Sequence, residues 1–345
     1  MPSQPIKIAV LGAGSWGTVL ADLLVHNGHQ VMLWGNSQEV AAEINTSHTN
    51  RHYLPEFAID PAVEASLDLE ATLADAAGIL FVIPTAAMRI VAKQVAAVLA
   101  KTGAKPILIS ATKGLEQNSH KRISQILGDE FPAELAQSLV IFSGPSHAED
   151  VATRDITSLT VASENIKDAE WVQGVFMNEY FRLYTNDDMV GVELGGALKN
   201  VIAIGAGVLH GLGYGDNTKA ALITRGIAEI SRLGIELGAN PLTFMGLSGI
   251  GDLIVTCTSV HSRNWRCGNA LGQGQKLATV LTNMGMVVEG VGTAKAAHEL
   301  SAQCGVEMPI SESIYRVLYE DADVHQEIDR LMQRKGKREL DFQRY

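Results

Sequence analysis

The run Ile6-Lys7-Ile8-Ala9-Val10-Leu11-Gly12-Ala13-Gly14-Ser15-Trp16-Gly17 decides how the rest of the chain is read. Ile6 to Leu11 is short, apolar and β-branched, the composition of a buried strand. Gly12, Gly14 and Gly17 follow in the spacing G-x-G-x-x-G. Thr18 to Asn27 is amphipathic and stops at Gly28, so a helix is expected there. In a strand–turn–helix unit each glycine has its own task. Gly12 permits the tight turn, Gly14 lets a pyrophosphate approach the backbone, and Gly17 lets the helix lie close on the strand. Free N–H groups at the helix start then face the phosphates. The unit points to dinucleotide binding; the alternative is an ordinary strand-to-helix turn.

The chain has 345 residues, enough for two domains. It is 46% hydrophobic and 19% charged, which suits a soluble globular protein with a large core. A net charge of −11 argues against broad binding of nucleic acid or anionic membranes. It leaves room for local basic residues that hold a small anionic substrate. Cys257, Cys267 and Cys304 are odd in number and lack CxxC spacing, so neither a disulfide framework nor a structural zinc site is expected. A reducing cytoplasm fits. Lys7 alone, before a strand broken by Gly12 and Gly14, makes no secretory signal. The most apolar run, Val201 to Leu209, is too short to cross a bilayer, so no membrane insertion is expected. His48 and His52 are four apart, but no Glu follows His48 as a zincin motif requires. The segment Asn45 to Pro55 reads as a solvated loop, and no metal site is expected.

Strand and helix patterns then alternate. Gln30 to Trp34 reads as a second strand, ending in Gly35-Asn36-Ser37 where a carboxylate usually binds the adenine ribose. Asn36 could bond a ribose hydroxyl or tolerate a 2′-phosphate, which permits NADP; the alternative is a plain turn residue. Leu67 to Ala77 and Met88 to Ala100 read as helices, with strands at Gly78 to Pro84 and Pro106 to Ser110. This alternation predicts a parallel, doubly wound sheet. Lys113, just after a strand, is placed where ligands bind in such sheets, or is an ordinary surface lysine. A further strand from Val140 ends at Ser143-Gly144-Pro145-Ser146-His147-Ala148. Ser146 is able to cap the segment that follows. His147 is either a general base or a loop histidine. Strands at Ser158 to Ala162 and Tyr180 to Tyr184 complete an expected Rossmann-like, dinucleotide-binding domain over residues 1–188.

Residues 189–345 show almost no strand pattern and predict an all-α domain. Gly191 to Gly207 reads as one apolar helix rich in glycine. Each glycine weakens a helix by about 1 kcal/mol relative to Ala, so close packing against a backbone or a ligand must compensate. Lys199 sits inside this helix: either burial lowers its pKa towards a useful range, or it snorkels to the surface. Asp252 follows two glycines in Leu247 to Ser259. Ser262 reads as the cap of a helix with Arg263 and Asn264 in its first turn, a phosphate-type site or a plain N-cap. Val287 to Thr293 begins another helix, where Glu289 caps it or meets the nicotinamide ribose. Pro309 to Ser313 starts the last long helix. Gln333 to Tyr345 is charged and reads as a mobile tail.

Seven motifs in order now identify a family: GAGSWGT at 12–18, ATKGLE at 111–116, SGPS at 143–146, ELGGALKN at 193–200, LSGIGDL at 247–253, SRN at 262–264 and VEG at 288–290. From about residue 6 to about residue 320 the chain resembles the NAD(P)-dependent sn-glycerol-3-phosphate dehydrogenases of bacterial type. The resemblance implies hydride exchange between NAD or NADP and dihydroxyacetone phosphate, giving sn-glycerol 3-phosphate for glycerophospholipid synthesis. It implies that Lys199 is the proton donor and acceptor, and that Lys113, Gly144, Ser146, Asp252, Ser262, Arg263 and Asn264 contact substrate. Gly12, Gly14 and Gly17, with Ser15, Trp16, Lys113, Ala148, Arg263, Val287 and Glu289, would contact the cofactor. Relatives are commonly dimers, so a homodimer is also expected. Asn36 stands where relatives often carry a basic residue, and His147 and Glu149 where they often carry Phe and Lys. Two other readings stay open: a 6-phosphogluconate-type or other β-hydroxyacid dehydrogenase, and a nucleotide sensor without turnover.

Overall fold

A computed structural model describes residues 4–136, 138–336 and 338–339. The first half follows the expected alternation. Strand β1 (Lys7–Leu11) leads through the glycine turn into α1 (Ser15–His26), then β2 (Gln30–Trp34) and α2 (Gln38–Ser47). Two short strands, β3 (Thr49–Asn50) and β4 (Leu54–Ala58), precede β5 (Val63–Ser66) and α3 (Leu69–Leu73). Next come β6 (Gly78–Phe81), α4 (Thr85–Thr102), β7 (Ile107–Ser110), α5 (Ile123–Glu130), α6 (Ala133–Ala136) and β8 (Leu139–Ser143). The half ends with α7 (Ala148–Ala152), β9 (Thr157–Ala162), α8 (Ile166–Phe176) and β10 (Phe181–Asn186).

Eight strands form one sheet in the order β10-β9-β8-β7-β6-β1-β2-β5. The order reverses between β1 and β6, and this is where doubly wound sheets bind ligands. Strands β1, β6, β7 and β8 read as unbroken apolar runs because helices cover both faces, and apolar clusters lie on each side of them. One expectation is corrected here. The sheet is not wholly parallel, since β9 runs antiparallel to β8 and carries its parallel partner β10 with it. The local pattern of a buried strand does not encode its direction.

Asn45 to Pro55 is not a loop. Helix α2 continues through Ser47, where His48 ends it at φ +52°, and β3 pairs antiparallel with β4. This hairpin closes over the glycine turn: Asn50 donates to Ala13 O at 3.0 Å and to Thr18 Oγ1 at 2.9 Å, and Ser15 Oγ donates to Tyr53 O at 3.2 Å. The helix expected at 67–77 shrinks to α3, capped by Asp68.

The second half is helical: α9 (Met189–Gly211), α10 (Asp216–Glu236), a 3₁₀ turn (Pro241–Met245), a π turn (Leu247–Gly251) and α11 (Asp252–Thr258). Then follow α12 (Arg263–Gly272), α13 (Leu277–Met284), α14 (Glu289–Cys304), α15 (Pro309–Tyr319) and α16 (Val324–Met332). The helix that starts at Pro309 is followed by one shorter helix, α16. In the expected tail, Arg334 pairs with Glu307 at 3.2 Å, while residues 337 and 340–345 lie outside the described residues. Helix α9 is longer than its most apolar run and could cross a bilayer by length and composition, but its apolar window is wholly buried in the fold.

Glycine explains how α9 is buried. A methyl group on Gly207 would overlap the carbonyl of Trp265, and one on Gly268 would overlap that of Ile204. Gly211 and Gly272 face each other in the same way. Backbone thus lies against backbone where α9 crosses α12, which offsets the helix propensity lost at each glycine.

Candidate active site

The turns after β1, β6, β7 and β8 all open on one edge of the parallel strands, and those after β6 and β7 bond to α14 and α11. Gly12 holds φ +123°, and a side chain there would collide with the backbone of Val82. Gly17 presses on the carbonyl of Gly12. A methyl built on Gly14 meets nothing within 4 Å, and no side chain caps the start of α1. So Gly12 and Gly17 serve packing, while Gly14 leaves a cradle beside free helix N–H groups. These residues fit a dinucleotide pyrophosphate. Trp16 and Ala148 pack on the sheet core, Trp16 with its ring 6.5 Å from Phe181.

Lys113, carried by the turn after β7, donates to Gly144 O at 2.9 Å and to Asp252 Oδ2 at 2.8 Å. Gly144 itself needs φ +145°, and a side chain there would press on Leu159. Ser146 does not cap α7 as expected. Its hydroxyl donates back to Gly144 O at 3.1 Å, and the cap position falls to His147.

Asp252 is placed by the π turn, which lies against Gly195 of α9 so tightly that only glycine fits. Its other oxygen pairs with Lys199. Lys199 does not snorkel: it is 6% exposed and also donates to Thr256 Oγ1 at 2.8 Å. Burial pulls the Lys199 ammonium down to about 8, with Asp252 opposing and the like charge of Lys113 assisting. Burial pushes the Asp252 carboxyl up, yet Lys113 and Lys199 together hold it below the usual carboxylate range. Two cations thus share one carboxylate, an arrangement that leaves positive charge next to a proton-bearing amine. Thr256 went unnoticed in the sequence; its position one helical turn after Asp252 was the available signal.

Ser262 caps α12, accepting from Trp265 N at 3.2 Å. Asn264 Nδ2 donates to Asn200 Oδ1 at 2.9 Å, next to Lys199, and Asn264 Oδ1 accepts from Gly290 N at 2.9 Å. Arg263 is exposed and donates to Val287 O at 3.1 Å. Glu289 caps neither its own helix nor any residue near it in sequence. Its carboxylate accepts from Thr85 N at 3.0 Å, at the start of α4, and burial pushes it up. His147 is half-buried: desolvation first, then the Lys199 charge, lower its pKa, and Nε2 lies 3.4 Å from Val255 O.

Hydrogen bonds join Ser146, Gly144, Lys113, Asp252 and Lys199 in one cluster, Asn264 ties Asn200 to Gly290, and Glu289 reaches Thr85. Half-buried Trp16 and buried Ala148 pack against the sheet core beside the glycine turn. Among the described residues no cluster of His, Cys, Asp or Glu could hold a metal ion.

Comparison with known proteins agrees with this architecture. The family model for the NAD-dependent glycerol-3-phosphate dehydrogenase N-terminus matches residues 7–169, and that for the C-terminus matches residues 188–329. Glycerol-3-phosphate dehydrogenase [NAD(P)+] of Latilactobacillus sakei is 65% identical over 337 residues, covering 98% of this chain and 99% of that protein. The enzyme of the same name from Enterococcus faecalis is 62% identical, covering 97% and 98%. The crystal structure of glycerol-3-phosphate dehydrogenase from Coxiella burnetii superposes with a TM-score of 0.90 at 36% identity, covering 96% of this chain and 99% of that one. With both family models matched in order over most of its length, the chain belongs to the NAD-dependent glycerol-3-phosphate dehydrogenase family.

Proposed function

We propose that the chain reversibly reduces dihydroxyacetone phosphate to sn-glycerol 3-phosphate, with Lys199 as proton donor and acceptor. When bound, NAD(P)H supplies the hydride. The Lys199 ammonium stabilises the alkoxide that develops at C2 and gives it a proton; in the reverse direction the neutral amine takes that proton back. A pKa near 8 suits both tasks at neutral pH. Asp252 keeps the ammonium in place, and Thr256 Oγ1 fixes its direction. Lys113, Gly144 and Ser146 border the substrate from the sheet side. Arg263, with the helix start behind Ser262 and Asn264, holds the phosphate, so binding energy remote from C2 positions the reacting carbon. Gly12, Gly14, Ser15, Trp16 and Gly17 border the dinucleotide, and Ala148, Val287 and Glu289 complete its site.

The observation that carries this reading is the burial of Lys199 against Asp252 in the seam between sheet and helices. The test is Lys199→Met. We expect turnover to fall about 10²–10⁴-fold with substrate still bound. Near-normal turnover would refute the assignment.

The finer reading follows the same line. Residues 1–188 form the cofactor domain and 189–345 the substrate domain, since among the described residues every strand ends by Asn186 and α9 begins at Met189. The protein works as a cytoplasmic homodimer that supplies glycerophospholipid synthesis, without nucleic acid or membrane insertion. Buried, free Cys257 and Cys267 and the net charge of −11 support this placement. Sedimentation at micromolar concentration tests the dimer.

A further inference from the structure

Residues 111–122, between β7 and α5, carry the sheet half into the helical half. The base of this loop is closed by a bridge and tied to α4. Leu115 and Arg122 form an antiparallel bridge, and Glu116 N donates to Lys121 O at 2.9 Å. Arg89 donates to both oxygens of Glu116 at 2.7 Å, which holds that carboxyl below its usual range.

The tip is different. Asn118 has φ +72° and His120 φ +56°, the left-handed region at two residues that are not glycine. Asn and His tolerate this region better than most residues, and neighbouring contacts fix them in it. Within the loop, His120 N donates to Glu116 O at 2.9 Å and Ser119 Oγ donates to the Glu116 carboxylate. Other contacts come from across the seam, where Leu115, at the base, is buried in the core of the helical half. Gln117 lies so close over Gly292 of α14 that a side chain there would strike its amide. His120 Nε2 lies 2.6 Å from Glu299 Oε2, also on α14.

We propose that His120 and Glu299 form a positioning latch, which ties the loop tip to α14 and thereby holds Lys113 in register with Asp252. Both residues act through Lys113 and are positioning residues. The proposal rests on the reading of Lys113 as part of the site. With its base tied to Arg89 and its tip tied to Glu299, the loop cannot follow either half alone. Releasing the tip lets Lys113 leave Asp252, whose carboxylate then turns wholly to Lys199. The charged and titratable groups facing Lys199 are Asp252, Lys113 and Cys257, with His147 within range of its charge. Losing the Lys113 cation from this set raises the pH at which Lys199 titrates.

The test is a double-mutant cycle on the full chain, crossing His120→Asn with Lys113→Ala. Asn accepts the left-handed backbone. Glu299→Ala, which removes the acceptor, serves as an independent second variant. We expect each latch variant alone to lower kcat about tenfold and to move the alkaline inflection of ketone reduction upward. In the Lys113→Ala background we expect a further loss of less than about twofold. Losses that multiply, or an inflection that stays in place, would overturn the latch. If Lys113→Ala itself left kcat and KM untouched, the reading of the site would fail and take the latch with it.

Discussion

Two glycine-rich regions of this chain use the same residue for opposite ends. In the turn at 12–17, Gly14 faces open space beside a bare helix start. At the crossing of α9 and α12, Gly207, Gly211, Gly268 and Gly272 face neighbouring backbone, with no room for a methyl group. The first absence of a side chain makes space for a ligand. The second brings Lys199 on α9 close to the helix that starts at Ser262. Glycine content alone does not say which use applies; what a side chain would meet does.

Substitutions can break this contrast. The largest effect is expected at the crossing: Gly268→Ala forces a methyl into the Ile204 carbonyl and should lower unfolding free energy by about 3 kcal/mol in a denaturant titration. A change below about 0.5 kcal/mol would mean that the helices separate freely. Next comes Gly17→Ala, which presses on Gly12 O and should destabilise by about 1–3 kcal/mol although it lies within the cofactor turn. Gly14→Ala should leave the melting curve unchanged within about 0.5 kcal/mol and raise the KM for NAD(P)H about tenfold, or about 1.4 kcal/mol. Equal thermal loss at Gly14 and Gly17 would erase the distinction. The smallest effect is expected at exposed Asn36, at the end of β2. Asn36→Asp should disfavour NADPH against NADH by a few-fold in kcat/KM, because a carboxylate repels the 2′-phosphate.

The same contrast shows what could be read without coordinates. The turn at 12–17 was legible because a local pattern carries it: an apolar run, three spaced glycines and an amphipathic helix. The glycines of α9 signalled close packing, but not that α12 is the partner. Strands β6, β7 and β8 were legible as buried runs. The β3–β4 hairpin was not, since it is short and half-exposed and gives no alternation, and the reversed direction of β9 leaves no local mark.

In the site, Lys113, Lys199, Asp252, Ser262 and Arg263 could each be named as candidates, with alternatives that only distance resolves. The Lys113–Asp252 bond joins residues 139 apart in sequence, and Glu289 reaches Thr85 across 204. Contacts of that range decide whether a helix lysine is buried or snorkels, and nothing near Lys199 in sequence reports them.

The central claim is that one buried amine, brought near pH 8 by its surroundings, both gives and takes the proton. Initial rates measured across pH 6–10 in both directions test it most directly. Its pKa is lowered from the usual lysine value, so the amine is charged below about 8 and neutral above. Ketone reduction should therefore fall, and alcohol oxidation rise, as pH passes through about 8, and neither inflection should survive in Lys199→Met. Reduction that stays level up to pH 10, or inflections that persist in that variant, would contradict the account.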